Sequence, residues 1–173
     1  CACLVGSEMC IRDSLTNASW TPDLQSGWSI SNWTPIYNIN YFLVHMREAK
    51  GLSEATYNHY EGTARFWRAW QYFEKVKTFG AVPWYDEPID PEDMVALYKP
   101  RDSREYVMER VLEDLNFACE HCYTSSDWIN CARINRYIAL AYKARVCLFE
   151  GTYRKYHSVD PSTGKAWDCL LYT

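Results

Sequence analysis

The stretch "EGTARFWRAWQYFEKVKTFGAVPWY", residues 61–85, carries eight aromatic side chains in one helix-like run and its exit loop. Whether those rings form a core or a surface for stacking decides how the whole chain is read. Phe66, Trp70, Phe73 and Val76 recur at i, i+4, i+7 and i+10, with Tyr72 and Phe79 around the corner. A stripe at that period is core geometry, so 61–80 reads as scaffold and 82–85 as the segment that turns the chain out of it. Ser53 offers this helix an N-cap, Leu52 and Tyr57 a hydrophobic staple, Gly80 a C′ residue and Pro83 a stop. Gly62, Ala64 and Ala69 keep part of it thin. A helix-interior glycine costs about 1 kcal/mol against alanine, so Gly62 predicts close approach of another helix. Glu61 and Arg65 stand four apart in the favourable order for an ion pair.

Before it lies "NWTPIYNINYFLVHMREAKG" (32–51), where Trp33, Ile36, Tyr37, Asn40, Leu43 and Val44 fall on one helical face. Pro35 is tolerated in the first turn and Gly51 stops the helix. Asn40 on that stripe predicts a buried amide bonded to neighbouring backbone. After it, "AVPWYDEPIDPEDMVALYKPRD" holds four of the chain's seven prolines and reads as an extended loop. A third helix begins at Asp102, paired with Glu105 as a capping box, and buries Val107, Val111, Leu112, Leu115, Ala118, Cys119 and Cys122. A polar loop (123–133) leads to a fourth helix whose inward face is read as Ile138, Ala141, Ala144 or Arg145, and Leu148. Nothing reads as a strand. The expected fold is all-α: packed helical hairpins with long irregular loops. A strict 34-residue tetratricopeptide register does not emerge.

Composition bounds the function. A net charge of −4 with no basic stripe argues against a nucleic-acid binder. No apolar run approaches the roughly 20 residues a membrane-spanning helix needs. Of the eight cysteines, Cys1, Cys3, Cys10 and Cys169 sit at the extreme ends. There "LVGSEMCIRDS" (4–14) and "CLLYT" (169–173) resemble translated sequencing-adapter DNA. Residues 1–14 and 169–173 are therefore expected to be artefact or disordered, with the natural region over 15–168, and the absent signal sequence carries no information. "CEHC" (119–122) lacks the second ligand pair of a zinc site, and its thiols lie on an apolar stripe, so they read as small core residues. A bridge from Cys122 to Cys131 stays open in an oxidising compartment. Asp86, Glu87, Asp90, Glu92 and Asp93 lack the glycine and alternating ligands of a calcium loop and read as solvated. No metal and no cofactor is expected. Hydrolase, phosphate-loop and dinucleotide motifs are absent, which leaves a helical carbohydrate-active enzyme and a plain helical-repeat interaction module as rival readings. Trp20, Trp28 and Asn32, in the hydroxyl-rich run "SWTPDLQSGWSISNW", are the candidate ligand-binding residues. A flat ring stacks on a sugar's C–H face while amides and hydroxyls fix its orientation.

Four motifs in order, "WTPIYNINYFL" (33–43), "EGTARFWRAWQYFEKVKTFGAVP" (61–83), "YVMERVLEDLNFA" (106–118) and "ALAYKARVCLFEGTYRKYH" (139–157), resemble the SusD/RagB family. Thr63 replaces a common glutamate and Trp67 a common leucine. The resemblance implies tetratricopeptide-like helix pairs and a non-catalytic outer-membrane lipoprotein of Bacteroidetes. Such a protein captures glycan or peptide and hands it to a SusC-like, TonB-dependent transporter. It implies a lipidated cysteine upstream of Cys1, a missing C-terminal half, and an exposed apolar face if 15–168 stood alone. Arg65 and Arg68 are expected to hold the scaffold rather than touch ligand.

Overall fold

The computed structural model describes residues 28–90, 92–124, 133–157, 159–161 and 163–167. Among the described residues five α-helices and a 3-10 turn follow in order: α1 Ile30–His45, the turn Met46–Glu48, α2 Glu54–Phe79, α3 Met94–Leu97, α4 Arg104–His121 and α5 Arg136–Tyr156. Among the described residues β geometry is confined to two isolated bridges, Val82 with Asp102 and Val159 with Ala166. The all-α expectation holds. The described residues fall into two compact units that divide between Thr34 and Pro35. The expected boundaries at 14/15 and 168/169, and residues 1–14 and 169–173 themselves, lie outside the described residues.

In the second unit the core is the seam between α2 and α4. Gly62 lies against Cys122, Arg68 meets Asp114, and Arg104 reaches the Val76 carbonyl, so the two helices run antiparallel. Between them Phe66, Ala69, Tyr72, Phe73 and Val76 pack with Val107, Met108, Val111, Leu112, Leu115 and Ala118, all buried. Helix α5 packs on α4, also antiparallel, with Arg136 N–H bonded to Tyr123 O near one end and Arg104–Glu150 and Glu105–Arg154 near the other. Its Tyr142 and Phe149 rings meet Phe66 and Phe73 of α2. The ends of α2 are those the sequence marks. Ser53 Oγ accepts from the Thr56 N–H at 3.2 Å, and Gly80, at φ 71°, closes the helix by donating to Val76 O. The expected close approach at Gly62 is real: a Cβ there would meet Cys122 Sγ at 3.0 Å and the Ala118 backbone at 3.4 Å. Glu61 and Arg65 pair at 2.8 Å.

Five expectations need correction. Trp70 is only half-buried and Tyr72 takes the central place, because the seam with α4 is centred on the line through Ala69, Tyr72 and Val76. Residues 82–85 do not leave the core. Val82 and Trp84 are buried, and the Trp84 ring lies on Tyr72 with centroids 4.1 Å apart. Helix α4 is capped by Ser103, whose side chain accepts from Tyr106 N–H, while Asp102 instead accepts from Trp84 N–H at 2.8 Å. On α1, Ile36 and Asn40 face inward but Tyr37 and Val44 are exposed. On α5 the face read as inward is outward: Ile138, Ala141, Ala144, Arg145 and Leu148 are exposed, and Ala139, Val146, Glu150 and Arg154 are buried. Helix α5 has apolar residues on more than one side, and the side that turns in carries a buried ion pair beside Ala139 and Val146.

Candidate functional site

Of the residues expected to bind ligand, Trp20 lies outside the described residues. Trp28 and Asn32 stand at the start of α1, in the first unit. Trp28 is half-buried and meets the Trp33 ring edge-on, centroids 5.2 Å apart at 84°. Asn32 donates its backbone N–H to Ser29 O at 2.9 Å and its side-chain amide to Ser29 Oγ at 2.7 Å; Ser29 Oγ is 2.8 Å from Ser31 Oγ. The rings and the hydroxyl–amide cluster are thus fixed by local bonds on a helix start, a short polar run closed by an indole pair.

Within the second unit, α1 carries a ring ladder that sequence reasoning missed. Tyr37 and Tyr41 stack at 6.4 Å with planes 23° apart, and Tyr41 meets His45 at 4.3 Å. Both tyrosines are exposed, and His45 Nδ1 pairs with Glu48 at 2.8 Å. The i, i+4, i+8 spacing was the available signal. Hydrophobic periodicity hides it, because tyrosine there reads as an apolar residue of the inward stripe.

Behind this helix sits a buried polar cluster. Asn40 donates to the carbonyls of Tyr85 at 2.8 Å and Glu87 at 3.3 Å, and its Oδ1 accepts from Arg68 at 3.1 Å, as expected of a buried amide. Arg68 grips Asp114 with two N–H groups, at 2.7 and 2.8 Å, reaches Asp86 O at 3.4 Å, and lies over the Trp84 ring at 5.3 Å. Burial works against the Arg68 charge, yet Asp114 holds its pKa above the usual guanidinium value. Burial likewise pushes the Asp114 carboxyl up, against the favourable charges of Arg68 and Arg65. Tyr72 completes the clamp by accepting the Tyr85 N–H at 2.9 Å; burial raises its hydroxyl pKa, so it stays neutral. The cluster pins the backbone of 84–87 to the helices. Arg65, at 3.5 Å from Asp114 and 4.3 Å from the Phe117 ring, belongs to the same frame. Both arginines therefore serve the scaffold.

Among the described residues, two of the three cysteines are sealed in the core. Cys119 and Cys122 are buried free thiols, as expected of core residues, and burial pushes the Cys122 pKa up to about 11. Cys131, the other half of the bridge considered above, lies outside the described residues. The acidic loop is solvated: Asp86, Glu87, Asp90, Glu92 and Asp93 are all exposed. Among the described residues no three His, Cys, Asp or Glu side chains gather as a metal site requires.

Within the second unit, antiparallel helices packed side by side define a helical scaffold. Residues 10–148 match a SusD-like family described as starch-binding and associating with the outer membrane, and the chain belongs to that family. Among solved structures it is similar to a SusD-like protein from Bacteroides fragilis, with 26% identity and a TM-score of 0.60 over 82% of this chain and 29% of that one. It is also similar to surface glycan-binding protein A from Bacteroides fluxus, with 25% identity and a TM-score of 0.58 over 81% and 29%. A laminarin-binding SusD-like protein shares the fold at 23% identity and a TM-score of 0.63, over 76% of this chain and 28% of that one. The chain thus spans under a third of the length of these structures. No curated protein sequence matches it.

Proposed function

We propose that this chain is the helical part of a non-catalytic surface protein that binds glycan and delivers it to a TonB-dependent outer-membrane transporter. A lipid on a cysteine upstream of Cys1 would hold the whole protein on the outer face of the membrane, and a peptide is the alternative cargo. The observation that carries this reading is membership, over residues 10–148, of a family described as starch-binding and outer-membrane associated. Likeness to a surface glycan-binding protein adds to it. Trp20, Trp28 and Asn32 are assigned to the ligand: the indoles as platforms for sugar C–H faces, the amide as an orienting group. The test is retardation of the full-length protein in gels containing starch or laminarin, with chromatography for released sugars. Retention without products is expected. Trp28→Ala should weaken retention roughly two- to tenfold, the worth of one ring contact. Release of oligosaccharides would overturn the non-catalytic reading, and full retention by the Trp28 and Trp20 alanine variants would overturn the site.

A further inference from the structure

No further inference is drawn: the strongest candidate, the apolar outer face of α5 formed by Tyr137, Leu140, Ala144 and Leu148, carries nothing, because the chain spans under a third of the solved structures it resembles and nothing in the structure shows what covers that face.

Discussion

The seam between α2 and α4 and the seam between α4 and α5 are each fastened by a buried arginine and a carboxylate 46 residues further on. Their surroundings differ. Around Arg68–Asp114 the helices are close enough that Gly62 touches Cys122, the wall is apolar, and Asn40 and Asp86 O share the guanidinium. Around Arg104–Glu150 buried polar groups sit on a face that also buries Ala139 and Val146. Glu150, fully buried, accepts from Arg104 at 2.6 Å and Arg154 at 3.0 Å; Arg104 lies 3.8 Å over the Tyr153 ring, and Arg154 4.7 Å over Trp167. In the first seam the ion pair is an addition to hydrophobic packing. In the second, buried charges share the packing, with Glu150 and Glu105 together facing Arg104 and Arg154.

That contrast fixes the largest expected effect. Glu150→Ala leaves Arg104 to the Val76 carbonyl and Arg154 to the half-buried Glu105, and should cost about 3–5 kcal/mol. Asp114→Ala should cost less, toward the lower end of about 2–5 kcal/mol, because Arg68 keeps Asn40 and a carbonyl, and Arg65 keeps Glu61. Urea denaturation of both variants checks the order. The two should also differ in place: hydrogen exchange at Trp84 and Tyr85 should quicken in Asp114→Ala, which frees the clamp on that loop, and not in Glu150→Ala. An Asp114 variant as costly as the Glu150 one would erase the distinction between the seams.

The same contrast explains what could be read in advance. On α4 every member of the expected stripe, from Val107 to Cys122, is buried, because apolar residues there occupy one face. On α5 apolar residues occupy several faces, and the buried face includes Glu150 and Arg154, which hydrophobic periodicity assigns to water. Glu150's partner Arg104 is 46 residues away, and Arg154's partner Glu105 is 49 away, beyond any local pattern. Asn40 was legible because one amide on an apolar stripe demands a partner; that Arg68 supplied it was not. At the candidate site, local sequence marked the Trp28 and Asn32 neighbourhood. It did not mark the Tyr37–Tyr41–His45 ladder, since tyrosine counts as apolar in a stripe and as a platform only once exposure is known.

Gly62→Val probes how tightly the first seam is closed. The added Cβ meets Cys122 Sγ at 3.0 Å, and Ala118 backbone at 3.4 Å cannot swing away. Overpacking there should destabilise by about 1–3 kcal/mol in the same denaturation assay. A neutral result would mean that α2 and α4 can separate without loss, which the tight-seam reading forbids.

The first seam also has a pH-sensitive end. His59 is buried, stacks on Tyr123 with centroids 4.0 Å apart, and accepts the Tyr123 N–H at Nδ1, 3.1 Å away. Burial holds its pKa below the ordinary 6.5. The unfolded chain therefore takes up a proton first as pH falls, so this stabilisation is present above 6.5 and declines below it. Denaturation midpoints measured from about pH 8 to about pH 5.5 should fall more for the natural chain than for His59→Gln, which keeps an acceptor but does not titrate. Equal slopes would remove His59 from the account.

The smallest effect comes from the other glycine, and its sign is opposite. Gly151 lies inside α5, where a new Cβ has nothing within 4 Å, and its φ is not positive. Alanine there gains helix propensity and restricts the unfolded chain without meeting a neighbour, so Gly151→Ala should stabilise by roughly 0.5–1 kcal/mol. The neighbouring Glu150 points into the ionic seam and Gly151 does not. If Gly151→Ala instead destabilised the chain as Gly62→Val does, α5 would have to lie against a wall at that point, which the open space around Gly151 excludes.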